Sequence, residues 1–154
     1  MHFSLGGAFM ALLAIAPLLS SCAMANETVT LWPEIRGQIV NAGQPVSGLD
    51  LRQTIYWNYE ENKAPPREAV IKTNAQGEFV FPTVTGEIKN NFFTRLLHQP
   101  GVGLKIETDF QGKKVSVFAS LGVSYANAGH QSLICDLGKL EFLQGAWMAA
   151  CEVS

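Results

Sequence analysis

The sequence predicts a single all-β domain, a sandwich of about seven strands with one short helix, behind an export signal peptide. Three observations carry that prediction. Apolar and polar residues alternate with period two from residue 35 onward, broken by Gly, Pro and Asn. The run from Leu5 to Leu19 is apolar and uncharged, and it is shorter than the ~20 residues that span a bilayer. What remains of the 154 residues after that leader suits one core and is too short for two. The expected division is a signal peptide over 1–21, a tether over 22–30 and the sandwich over 31–154.

The leader ends at a small-residue site. Pro17 breaks its helix, and Leu19-Ser20-Ser21-Cys22 is similar to a bacterial lipobox, which makes Cys22 the lipidated first residue of the mature chain. Two features leave an alternative open. No Lys or Arg precedes the apolar run, and Ala23-Met24-Ala25 has the A-x-A form whose cleavage releases a soluble periplasmic protein starting at Asn26. Ala23, where Asp commonly marks inner-membrane retention, resembles the outer-membrane sorting pattern. The expected location is the outer membrane, facing the periplasm.

The strands follow in order. Ile35 to Ile39 opens the domain and ends at the Asn41-Ala42-Gly43 turn. Leu49, Leu51, Ile55, Trp57 and Tyr59 share an inward face, with Gln53 as its polar exception, while Asp50, Arg52, Thr54, Asn58 and Glu60 share the outward one, on which Tyr56 also falls. A polar connection, Glu60 to Pro66, leads to a strand through Ala69, Ile71 and Thr73. The Asn74-Ala75-Gln76-Gly77 turn then leads to Phe79 and Phe81, and Pro82 stops that strand. Between Asn91 and Pro100, Phe92, Phe93, Leu96 and Leu97 recur at helical spacing, which predicts the short helix. It is read as a plug over one end of the sandwich, or else as an apolar ridge that touches membrane or partner. Leu104, Ile106 and Thr108 then pair through a Gln111-Gly112 hairpin with Val115, Val117 and Ala119. The last strands run from Leu133 to Leu137, Leu140 to Leu143 and Trp147 to Cys151.

Cysteine usage fits export. Of three cysteines, lipidation occupies Cys22 and leaves Cys135 and Cys151 to pair; the other reading is two buried free thiols. A bond between them closes a short loop worth on the order of 3 kcal/mol.

Gly37-Gln38-Ile39-Val40, then Gly43-Gln44-Pro45-Val46-Ser47-Gly48, then Thr73-Asn74-Ala75-Gln76-Gly77-Glu78-Phe79-Val80-Phe81 together resemble the carboxypeptidase-regulatory-like, or transthyretin-like, domain. The match covers residues 35 to 84. It implies a Greek-key, Ig-like sandwich, with positive φ at Gly43 and Gly77 and alternate aromatics between the sheets. The later hairpin with Cys135-Asp136-Leu137 and Cys151 resembles a group of uncharacterised exported bacterial proteins. One branch of the wider superfamily hydrolyses hydroxyisourate with His and Arg residues and a C-terminal Tyr-Arg-Gly-Ser. This chain ends Cys151-Glu152-Val153-Ser154, so that activity is not expected.

No nucleophile elbow, zinc-protease helix, phosphate loop or calcium loop occurs, and neither catalytic residue, metal site nor cofactor is expected. His98 and His130 are far apart and need chance convergence with Asp109 or Asp136 to hold a metal. A net charge of −2 of mixed sign excludes nucleic acid as a partner. The expected function is a non-enzymatic interaction module, held to the bilayer by lipidated Cys22 and binding another envelope protein. Tyr56, Trp147, Phe92 and Phe93 are the candidate partner contacts. Two narrower expectations stand beside it: an immunity lipoprotein against a periplasm-directed toxin, and a carbohydrate or peptidoglycan binder.

Overall fold

The computed structural model describes residues 26–61, 63–89, 99–126 and 129–153. These form eleven strands: β1 Asn26–Trp32, β2 Glu34–Asn41, β3 Gln44–Pro45, β4 Asp50–Trp57, β5 Arg67–Lys72, β6 Glu78–Phe81, β7 Val84–Lys89, β8 Val102–Phe110, β9 Lys113–Gly122, β10 His130–Leu143 and β11 Ala146–Val153. The fold is all-β, and its two sheets make a sandwich-like arrangement. The helix expected between Asn91 and Pro100 lies largely outside the described residues, with Phe92 and Phe93; so do the leader and Cys22.

The strand count exceeds the seven expected because weakly alternating segments also pair. The stretch read as a tether contributes its residues from Asn26 onward to β1, which pairs antiparallel with β7 as a separate two-stranded ribbon. Val29 and Leu31 alternate inward there, behind polar residues that hide the pattern. In β7 the inward positions are Gly86 and Ile88. A side chain at Gly86 would strike the Trp57 ring at 2.5 Å, so the ribbon packs flat on the indole through that gap.

The larger sheet runs β3-β2-β10-β11-β9-β8-β4-β5, with β6 also on β2. Two of its pairings are parallel, β2 with β10 and β9 with β11. Its inner faces meet in one core, where Ile35, Ile39, Leu51, Ile55, Phe81, Ile106, Val115, Leu133 and Cys135 lose essentially all contact with water. Each such large apolar side chain contributes about 1.5–3 kcal/mol, against 0–1 kcal/mol for an exposed ion pair such as Asp50–Lys72. The core therefore sets the stability.

Turn chemistry fixes the register. Gln111 and Gly112 have φ of 51° and 73° and join Phe110 to Lys113, the type I′ geometry whose twist matches the strands. At the other tight turn, Asn74 Oδ1 accepts from the amides of Gln76 and Glu78 at 2.9 and 2.8 Å. Gly77 there has φ of 73°, and a Cβ would lie 2.4 Å from the Ile39 carbonyl.

One inward assignment is corrected. Val115 and Val117 are buried, but Ala119 is exposed, and Phe118 packs against the core instead. A bulge at Ile106/Glu107, whose partners are Phe118 and Ser116, leaves Val117 unpaired. That extra residue inverts the alternation beyond it.

Cys135 and Cys151 sit directly opposite each other in the β10–β11 pair and are joined by a disulfide, with Cα atoms 4.1 Å apart.

Candidate functional site

The molecule has two ends worth separating, because β8 runs between them. At the near end lie the start of β8, the end of β4, the end of β9 and the β1–β7 ribbon, which is joined there by the Ala126 amide donating to the Thr30 carbonyl at 2.9 Å. At the far end lie the Gln111-Gly112 turn and the β10–β11 turn at Gln144-Gly145. Nine residues of β8, at about 3.3 Å each, place roughly 30 Å between them.

At the near end an apolar cleft of about 580 Å³ opens between the outer sheet face and the connection from Asn58 to Pro66. Tyr56, Gly103 and Leu121 are successive register partners across β4, β8 and β9 and form its floor. Gly103 leaves no side chain between the other two, so the Tyr56 ring and Leu121 flank a shallow gap, with Pro65 and Pro66 as the opposite wall. Asn58 holds the rim: its Nδ2 donates to the Gln99 carbonyl at 2.8 Å, and its Oδ1 accepts from the Gly101 amide at 3.0 Å. Arg67 holds the connection. Its guanidinium pairs with Glu60 at 2.6 Å, donates to the Thr85 carbonyl of the ribbon and lies 5.5 Å above the Trp57 ring. Glu60, at the head of the polar connection, is thus a structural partner, while Glu61 is exposed.

Beneath the ribbon Trp57 stacks with Tyr59 at 5.0 Å and meets Tyr125 edge-on at 6.2 Å. Burial pushes the Tyr125 hydroxyl above its ordinary value of 10.0; the Trp57 indole N–H works against that, and Tyr59 and Glu27 add to it. Below Tyr56 the same sheet face turns polar, with a second cleft of about 660 Å³ among Asp50, Arg52, Glu68, Glu107, Asp109 and Lys114. Tyr56, half-exposed at 52%, borders both.

At the far end Phe142 and Trp147 face each other across the hairpin, ring centroids 5.2 Å apart, and the Lys113 ammonium lies 3.8 Å over the Trp147 ring. Phe142 and its neighbour Leu143 are exposed. The structure therefore puts two of the expected contacts, Tyr56 and Trp147, on separate surfaces. Phe142 and Leu121 were not singled out in the sequence. The signal for Phe142 is its register opposite Trp147 across a two-residue turn, legible once Gln144-Gly145 is recognised as that turn.

Asp136 accepts from the Ala42 and Gly138 amides, both at 2.9 Å, and so fixes a turn. Among the described residues no three His, Cys, Asp or Glu side chains come together as a metal site.

Residues 35–139 match the family model of DUF6795, a domain of unknown function. The chain belongs to this family. The DUF6795 match begins within β2 and ends inside β10, so it includes Cys135 and leaves out β11 with Cys151. No curated protein matches the sequence. Among solved structures, 3-chlorocatechol 1,2-dioxygenase from Rhodococcus opacus 1CP is similar at a TM-score of 0.33 and 14% identity, over 84% of this chain and 60% of that one. The chain spans less than two thirds of that enzyme, and a likeness this slight carries no argument about activity.

Proposed function

We propose that this DUF6795 chain is a lipid-anchored envelope protein, a transthyretin-like module without enzymatic activity that binds another envelope protein through its far end. The carrying observation is the Phe142–Trp147–Lys113 cluster. An exposed phenyl ring beside a Trp held in place by a cation is the composition of an interface anchor, in which a few aromatic and basic residues carry most of the binding energy. The lipobox-like Leu19-Ser20-Ser21-Cys22 supports the reading, because a lipid on Cys22 would confine the search for a partner to one surface. Outer-membrane placement facing the periplasm, and an immunity role against an incoming toxin, are finer versions of it.

The test is cross-linking in the intact envelope, with a photoreactive residue at position 142 compared with one at position 80 on the outside of β6. The reading expects a discrete adduct from 142 that is lost with Trp147→Ala and absent from 80. No adduct from 142 in cells that retain the protein in the membrane fraction refutes it. A second reading, carbohydrate binding, draws on the Tyr56 ring at the edge of the polar cleft, an apolar face beside hydrogen-bonding groups. Unchanged tryptophan fluorescence across a panel of peptidoglycan fragments counts against it.

A further inference from the structure

We infer that the near end of the sandwich lies against the bilayer, with Leu121 and Val123 entering its interfacial layer. The inference rests on the lipid-anchor reading of Cys22 and adds which face of the domain the anchor presses to the membrane.

The first support is the length of chain between the anchor and the fold. Only Ala23, Met24 and Ala25 separate Cys22 from the first residue of β1. Four residues of extended chain, advancing at most about 3.6 Å each, hold Asn26 within roughly 14 Å of an acylated Cys22. That is half the length of the domain, so the anchor cannot present both ends to the membrane equally. Asn26 opens the ribbon, paired with Lys89, whose amide donates to the Tyr59 hydroxyl at 3.2 Å. The anchored end is therefore the near end.

The second support is what that end exposes. Leu121 and Val123, at 74% and 69%, are the most exposed large apolar side chains among the described residues. Val123 precedes by three residues the Ala126 amide bonded to β1, so both stand close beside the anchored ribbon. Leu121 also belongs to the floor of the apolar cleft, beside Tyr56 and facing the Pro65-Pro66 pair. Tyr56, exposed beside Leu121 across Gly103, adds an amphipathic ring of the kind that sits at headgroup level.

The third consideration selects among lipids. Among the described residues near this end Glu27, Glu60, Glu61 and Glu87 outnumber Lys63, Arg67 and Lys89, so these residues supply no basic field to favour anionic headgroups. The contact is apolar and forms on a zwitterionic surface. It also turns the Phe142–Trp147 cluster away from the membrane.

The test uses the full chain, expressed with its leader, purified in detergent and reconstituted into phosphatidylcholine vesicles. With Cys135 bonded to Cys151 and Cys22 lipidated, Leu121→Cys or Leu143→Cys supplies a single thiol for an environment-sensitive fluorophore. Both positions are exposed, so neither label disturbs the core. We expect a blue-shifted probe at 121, quenched several-fold more than the one at 143 by lipids brominated close to the headgroups. Equal quenching at the two positions, whether strong or weak, overturns the orientation while an intact mass showing lipid on Cys22 leaves the anchor reading standing. A mass showing bare Cys22 or a chain beginning at Asn26 overturns the anchor reading, and the orientation with it.

Discussion

Replacing Gln53 with Met is expected to stabilise the domain. Gln53 points into the core from β4, between Leu51 and Ile55, and is only 3% exposed. Its Nε2 has no hydrogen-bond partner among the described residues. A buried amide donor left unpaired costs about 1–3 kcal/mol. Met has nearly the same length and volume, so the neighbours need little adjustment, and an imperfect fit of such a swap costs less than about 1.5 kcal/mol. The balance is a gain of about 1–2 kcal/mol. In urea, at a mid-range slope of about 2 kcal/mol per molar, that moves the midpoint up by roughly 0.5–1 M. Trp57 lies in the same strand, so its fluorescence reports the transition directly. Equilibrium unfolding of both proteins, with the disulfide intact, measures the difference. A loss of 1 kcal/mol or more in the Met variant refutes the reasoning, since it means the amide is bonded in the folded protein and contributes to stability.

Opening the disulfide with Cys151→Ala is expected to cost on the order of 3 kcal/mol by releasing a loop of 16 residues' separation, and a reducing agent should lower the wild type to match in the same urea titration. Gly86→Ala is expected to destabilise by about 1–3 kcal/mol, because the new methyl meets the Trp57 ring and the ribbon must lift; hydrogen exchange should show the loss first in β1 and β7. Arg67→Ala should loosen the same ribbon at a cost of about 1.5–3 kcal/mol, the range for bonds to a charged group, and the same exchange experiment reads it. Tyr125 gives a pH dependence. Its folded-state value is raised, so the folded state keeps the proton longer than the unfolded chain does. Its contribution is complete below 10.0 and is lost as pH rises beyond that value. Stability measured from pH ~9 to ~11 should fall less steeply in Tyr125→Phe than in wild type.

Much of this fold is legible in the sequence where local chemistry decides it. The β4 alternation, with Gln53 as its inward exception, and the Gln111-Gly112 and Asn74–Gly77 turns all follow from residue type and period. What escapes is decided between distant segments. Ala119 and Phe118 exchange faces because of a bulge opposite β8, which no pattern within β9 announces. β7 is hidden because one of its two inward positions is Gly86, which makes room for the ring of Trp57, far earlier in the chain. The near-end cleft is hidden for the same reason: Tyr56, Gly103 and Leu121 become neighbours only through the register of three strands.

The parallel pairing of β2 with β10 has a temporal consequence. Val40 finds Asp136, and Gly37 finds Leu133, across nearly a hundred residues of intervening chain. Pairing at such separation is entropically expensive and slow to nucleate. The β2 edge that β10 occupies therefore stays open until β10 itself has emerged, and the strands before it can form only a partial sheet. β10 also carries Cys135, whose partner lies in the last strand. Completion of the bond thus records that the final hairpin has docked, and a chain stalled before β11 should persist as a reduced, protease-sensitive species.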